Sequence, residues 1–189
     1  MKKWMYILLL LTVILSACSS QSTEKENDIK GIEDISLNQL SKHKNTYLGD
    51  NSAIHKILSE LPGDVIREFE IVDGKALDVT YGVKENAGYT EEQFDAFWFD
   101  QKATIEKTYV YNAMALFILV DNVEQVTLKM NSSDEPSVTF KRKQLEKKLP
   151  HTFKAYKDNA KLWQKELVEG IVKSKEQRQA LYKAFPMEK

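Results

Sequence analysis

The run EFEIVDGKALDVTYGV, Glu68 to Val83, moves the chain from a helical period to an extended one. Phe69 and Ile71 alternate with Glu68 and Glu70. Past Asp73-Gly74, Leu77, Val79, Tyr81 and Val83 alternate with Asp78, Thr80 and Gly82. Alternation at every second residue puts one set of side chains on each face of a strand. Asp-Gly between two such runs predicts a tight hairpin, because both central residues of a type I′ turn need positive φ.

Working outward, the flanking segments read as helices. Ile54, Ile57, Leu58 and Leu61 recur at helical spacing, and Pro62-Gly63 ends that helix. A shorter helix is expected over Asp34 to Lys44, with Asp34 as its cap. After the hairpin, Thr90-Glu91-Glu92-Gln93 has the form of a capping box ahead of Phe94, Phe97 and Trp98. Thr104 to Val120 reads as a longer helix containing YNAMALFILV. Its apolar run is short of the roughly 20 residues that a bilayer demands, so a core helix is expected. Val126, Leu128 and Met130, then Val138 and Phe140, alternate as a second hairpin. Beyond Pro150, Phe153, Tyr156, Ala160, Trp163, Leu167 and Ile171 predict one amphipathic helix, and Ser174 to Gln177 caps a last one ending near Pro186. The expected class is α+β. Two hairpins form a four-stranded antiparallel sheet, covered by the central helix, with short N-terminal helices and an amphipathic C-terminal helical region.

The front of the chain reads MKKWMYILLLLTVILSACSS. Lys2 and Lys3 precede an apolar run, Trp4 to Leu15, of the length of a signal-peptide core. Leu15-Ser16-Ala17-Cys18 resembles the lipobox of bacterial lipoproteins. That resemblance implies removal of residues 1–17, a diacylglyceryl thioether on Cys18, and a partner in the lipid bilayer. Residues 18–33 are then expected as a flexible tether, since Ser19 to Asp28 holds no apolar residue, and 34–189 as a single globular domain. The localisation that follows is the outer face of the cell membrane. Cys18 is the only cysteine, so no intramolecular disulfide, cysteine metal site or Cys–His pair is available.

Charge is unevenly spread. Residues 141–189 carry 14 basic and 6 acidic side chains, net +8, whereas residues 18–140 carry 11 and 22, net −11. A basic end of this kind either docks on anionic lipid or wall polymer, or folds back on the acidic body. No nucleic acid partner is expected for a chain outside the membrane.

NTYLGDNSAI (Asn45–Ile54), Leu61-Pro62, the strand ending at Tyr81, and NAMALFILVDNVEQV resemble an uncharacterised domain-of-unknown-function family. Its members are Gram-positive secreted lipoproteins and membrane-anchored envelope proteins. The resemblance spans roughly residues 36–145. It rests on Thr46-Tyr47-Leu48-Gly49-Asp50-Asn51-Ser52, Tyr81, and Asn112, Leu116, Phe117, Leu119, Val120, Asn122 and Val123. Where that family carries Pro-Tyr-Gly-Leu before the second strand, this chain has Gly74-Lys75-Ala76-Leu77. The resemblance implies an envelope protein with no known activity.

Chemistry is sparse. His43, His55 and His151 are scattered, with no H-E-x-x-H, no G-x-S-x-G and no Gly-rich phosphate loop. No metal, cofactor or catalytic residue is expected. Glu68/Glu70, Glu91/Glu92 and Asp134/Glu135 are the carboxylate pairs on which a wall-polymer hydrolase would have to draw. The aromatics Phe97-Trp98-Phe99 cover more than one helix face, so one ring is expected at the surface. Gly49 is expected to supply a positive-φ turn, and one of Asp50, Asn51 and Ser52 a helix cap. A cap needs one such residue, and three stand in a row. Tyr47, Asp50, Asn51 and Ser52, with Tyr81, therefore form the candidate binding surface. The expected role is a non-catalytic sensor or accessory domain that binds a ligand or an envelope protein, against a hydrolase or a membrane-proximal spacer.

Overall fold

A computed structural model describes residues 28–85, 88–101, 103–132, 134 and 136–188. The leader, Cys18, the first part of the tether and Glu135 lie outside the described residues. The class is α+β, built on one four-stranded sheet in the order β1-β2-β3-β4. In chain order the elements are α1 (Leu37–Leu40), α2 (Asn51–Glu60), β1 (Ile66–Val72), β2 (Ala76–Tyr81), α3 (Glu91–Trp98), α4 (Thr104–Leu119), β3 (Gln125–Met130), β4 (Val138–Lys141) and α5 (Arg142–Glu146). Then come α6 (Phe153–Asp158), α7 (Ala160–Leu162), a π-helical segment (Trp163–Val172) and α8 (Lys175–Ala184).

The sheet is mixed, which corrects the antiparallel expectation. β1–β2 and β3–β4 are antiparallel, but β2 and β3 run parallel, from Ala76↔Gln125 to Tyr81↔Met130. The cause is the path between them. A direct turn would reverse the chain, whereas here α3 and α4 intervene. α4, at about 1.5 Å per residue, returns the chain to the end where β2 began, so β3 must run alongside β2.

Local chemistry explains the individual elements. Asp73 and Gly74 adopt φ of 51° and 65°, and Lys75 N–H donates to the Val72 carbonyl at 3.1 Å. Thr90 Oγ1 accepts from Gln93 N–H at 3.1 Å while Gln93 Oε1 accepts from Thr90 N–H at 2.8 Å, closing the capping box of α3. The α1 cap is Ser36 rather than Asp34, whose carboxylate instead accepts from Gly31 N–H.

The predicted C-terminal amphipathic helix is broken. Asn159 takes an extended conformation and accepts through Oδ1 from Lys161 and Leu162 N–H, restarting the helix. The π-helical turns that follow point Trp163, Leu167, Val168, Ile171 and Val172 inward. A local cap and i→i+5 bonding thus replace the continuous i→i+4 ladder.

α4 is buried from Thr108 to Leu119 on every side, because it contacts β3, α3, α6, α8 and the π-helical segment. An all-round apolar helix fits that position. Among the described residues no helix is long and apolar enough to cross a membrane. Within the span assigned to the tether, Ile29 packs on the core. Lys30 binds Asp64 at 2.6 Å and the Ser59 carbonyl at 2.7 Å.

Candidate functional site

Asn45 to Ser52 docks on the far end of α4. Asn45 itself takes the left-handed conformation, φ 64°. Thr46 then runs parallel to Val120: its N–H donates to the Leu119 carbonyl at 3.1 Å, and its carbonyl accepts from Asp121 N–H at 2.8 Å. Leu48 is buried, and its N–H donates to Asn122 Oδ1 at 2.8 Å. The two motifs that carry the family resemblance therefore meet in space. Asn122 is the side chain that joins them.

Between these anchors Tyr47 stands 57% exposed, more than any other aromatic among the described residues. Asp50 N–H donates to the Tyr47 carbonyl at 3.0 Å and closes the turn. Gly49 does not take positive φ. Asn45 supplies the left-handed residue, so the turn after Tyr47 closes without one. Asp50 is the α2 cap, accepting through Oδ1 from Ala53 N–H at 2.9 Å, while Asn51 and Ser52 lie exposed in the first turn. Asp50→Ala should cost about 1 kcal/mol and Asn51→Ala less than about 0.5, read as shifts in urea midpoint at constant slope.

Tyr81 is not part of this surface. It is fully buried, stacked at 5.7 Å on Tyr109 and 4.8 Å from the Trp98 ring. Asn112 lies about 12 Å along α4 from Val120, at the helix rise of about 1.5 Å per residue. It donates through Nδ2 to Tyr81 Oη at 2.8 Å and to the Pro62 carbonyl at 2.9 Å. Burial pushes the Tyr81 hydroxyl well above the usual phenol range, with the Asn112 bond pulling the other way. Period-2 alternation sets Tyr81 on one face with Leu77 and Val79, and the packed neighbours α3 and α4 close over that face and bury its hydroxyl.

Arg142 is the residue that sequence reasoning missed. Its Nε donates to the Val123 carbonyl at 2.6 Å and its Nη2 to the Val120 carbonyl at 2.5 Å. The guanidinium lies over the Phe117 and Phe153 rings at 5.2 and 5.5 Å. Burial lowers its pKa from the ordinary value, and Glu146, Asp121 and Glu124 oppose that shift. Beside it, Lys157 Nζ donates to Asp121 at 2.7 Å and to Asn45 Oδ1 at 3.1 Å. The loop is held from two directions, and Tyr47 is presented on a fixed backbone.

Other candidates are dispersed. Glu68 and Glu70 are exposed on the outer face of β1, and Glu91 and Glu92 are exposed in the first turn of α3. His43 pairs with Glu60 at 3.0 Å and His151 with Glu166 at 3.5 Å, while His55 is exposed. Among the described residues no group of three or more His, Cys, Asp or Glu is placed to hold a metal. Phe99 is the exposed ring of the Phe97-Trp98-Phe99 run, at 41%. Lys157, Lys173 and Arg178 of the basic C-terminal region reach back to Asp121, Glu33 and Glu106.

No curated protein and no solved structure matches this chain. One family model does, over residues 40–148, a span that holds the Tyr47 loop, the whole sheet, α4 and Arg142. The chain belongs to the family described as Domain of unknown function (DUF4825).

Proposed function

We propose that this chain is a lipid-anchored, non-catalytic binding protein on the outer face of a bacterial cell membrane. The observation that carries this reading is the order Lys2-Lys3, apolar Trp4 to Leu15, then Leu15-Ser16-Ala17-Cys18. Two acyl chains on Cys18 give stable anchoring where a single chain holds only marginally. The surface offered to an envelope partner is the Tyr47–Ser52 loop. An exposed aromatic on a backbone held at both ends loses little freedom on binding. The exposed positions of Glu68, Glu70, Glu91 and Glu92 support a non-catalytic role, since a glycosidase pair must face its partner across a cleft.

Metabolic labelling with a fatty-acid analogue tests the anchor. Wild type should take up the label and show a mature mass beginning at acylated Cys18, and Cys18→Ser should take up none. Equal labelling of the two chains, or a mature wild-type N-terminus without lipid, would end this reading.

A further inference from the structure

We infer that the outer edge of β1 accepts an extended strand from a partner protein, with apolar and basic side chains alternating along it. This inference goes beyond the lipid anchor and the Tyr47 loop, and does not rest on either.

The sheet order leaves two edges, and they differ. β4 is four residues long, leads straight into α5, and is bridged at its start by Ser137↔Glu188. β1 is seven residues long and, among the described residues, pairs only with β2. Among the described residues, the one backbone hydrogen bond to Ile66–Val72 from beyond the strand pair is the hairpin bond from Lys75 to Val72. A row of outward N–H and C=O groups is therefore left to water, the template that strand addition uses.

Burial along the core face tells the same story. Leu77, Val79, Val126, Leu128, Val138 and Phe140 are at most 1% exposed. Phe69 and Ile71 sit on that same face, opposite Val79 and Leu77, yet remain only half-buried. They lack a neighbour on one flank. A cavity of about 310 Å³ opens there, between His55 and Leu58 of α2 and Ile66, Glu68 and Phe69 of β1, with Lys84 at its side. It is the room that a strand laid between an edge and a helix would fill.

The other face sets the charge. Glu68 and Glu70 point out of the sheet, and Glu70 lies directly opposite Asp78. Like charges on neighbouring strands repel, and a cationic neighbour relieves them. A second copy does not supply one at these positions, because the cation of its β1, Arg67, sits in the bulge with its guanidinium on the Val83 carbonyl. A two-fold axis centred on Glu68, Phe69 or Glu70 would set carboxylate against carboxylate. The matching segment carries Val, Ile or Leu beside Phe69 and Ile71, and Lys or Arg beside Glu68 and Glu70. The bulge between Ile66 and Glu68 limits the regular pairing to Glu68–Val72.

The test uses the full chain in detergent micelles and a synthetic seven-residue peptide of alternating Val and Lys, with amide hydrogen exchange as the readout. A Val/Glu peptide of the same length is the control. The Val/Lys peptide should slow exchange of Ile66–Val72 amides by about tenfold, and the Val/Glu peptide should leave them unchanged. In Glu68→Lys/Glu70→Lys the preference should invert. Three results would overturn the inference: no slowing at β1 with millimolar Val/Lys peptide, equal slowing by both peptides, or a dimer in sedimentation that already protects β1 without peptide.

Discussion

Gly63→Ala should lower the free energy of unfolding by about 3 kcal/mol, the larger part from overpacking and the rest from backbone strain. Gly63 has φ 71°, where a Cβ is disfavoured. A Cβ built there runs into Trp98 Cζ2 and comes within 2.7 Å of Cη2. The indole has nowhere to go. It is 1% exposed and packed among Tyr81, Phe94, Phe97 and Tyr109. The Gly63 N–H also donates to the Lys30 carbonyl at 2.8 Å, a bond that ties the backbone in place. Urea unfolding measures the loss. The double mutant with Trp98→Phe separates the causes. In that background the cost of Gly63→Ala should fall to the strain alone, about 1 kcal/mol. An unchanged cost would mean that the indole is not the obstacle.

Arg142→Ala should cost about 3 kcal/mol, since it leaves the Val120 and Val123 carbonyls without their charged donor and strips the cation from Phe117 and Phe153. Arg142→Lys should recover only part of this. A single ammonium cannot span two carbonyls and stack flat on two rings as the planar guanidinium does. Because those carbonyls belong to the segment on which Thr46 and Leu48 dock, the loss should have a local signature. Exchange of the Thr46 and Leu48 amides should speed up more than exchange in β2 or β3. Uniform acceleration across the domain would show that Arg142 supports the whole core rather than the Tyr47 loop.

Much of the local structure could be read from neighbouring residues. Thr90 and Gln93 cap α3 through contacts three residues apart, and Ser174 accepts from Gln177 N–H in the same way. Asp50 caps α2 for the same reason. The surplus around Asp50 was also legible, though not its division into one cap and two exposed side chains. Tyr81 was misplaced because alternation gives a face and not a depth. The Asn159 break was hidden because Phe153, Tyr156, Trp163, Leu167 and Ile171 keep helical spacing across it. Arg142 left no signal at all: its partners are main-chain carbonyls and rings brought in from α4 and α6.

By itself the sequence determined the α+β class, the Asp73-Gly74 turn and the caps at Thr90 and Ser174. Each of these depends on groups within a few bonds or one helical turn of one another. Only the tertiary structure decided that β3 runs parallel to β2, that Tyr81 lies in the core, and that Asn122 joins the Tyr47 loop to α4. Among the described residues, it alone left the outer β1 edge unpaired. Those outcomes depend on where a long connection brings the chain back, and that is set by which apolar faces cover one another after collapse.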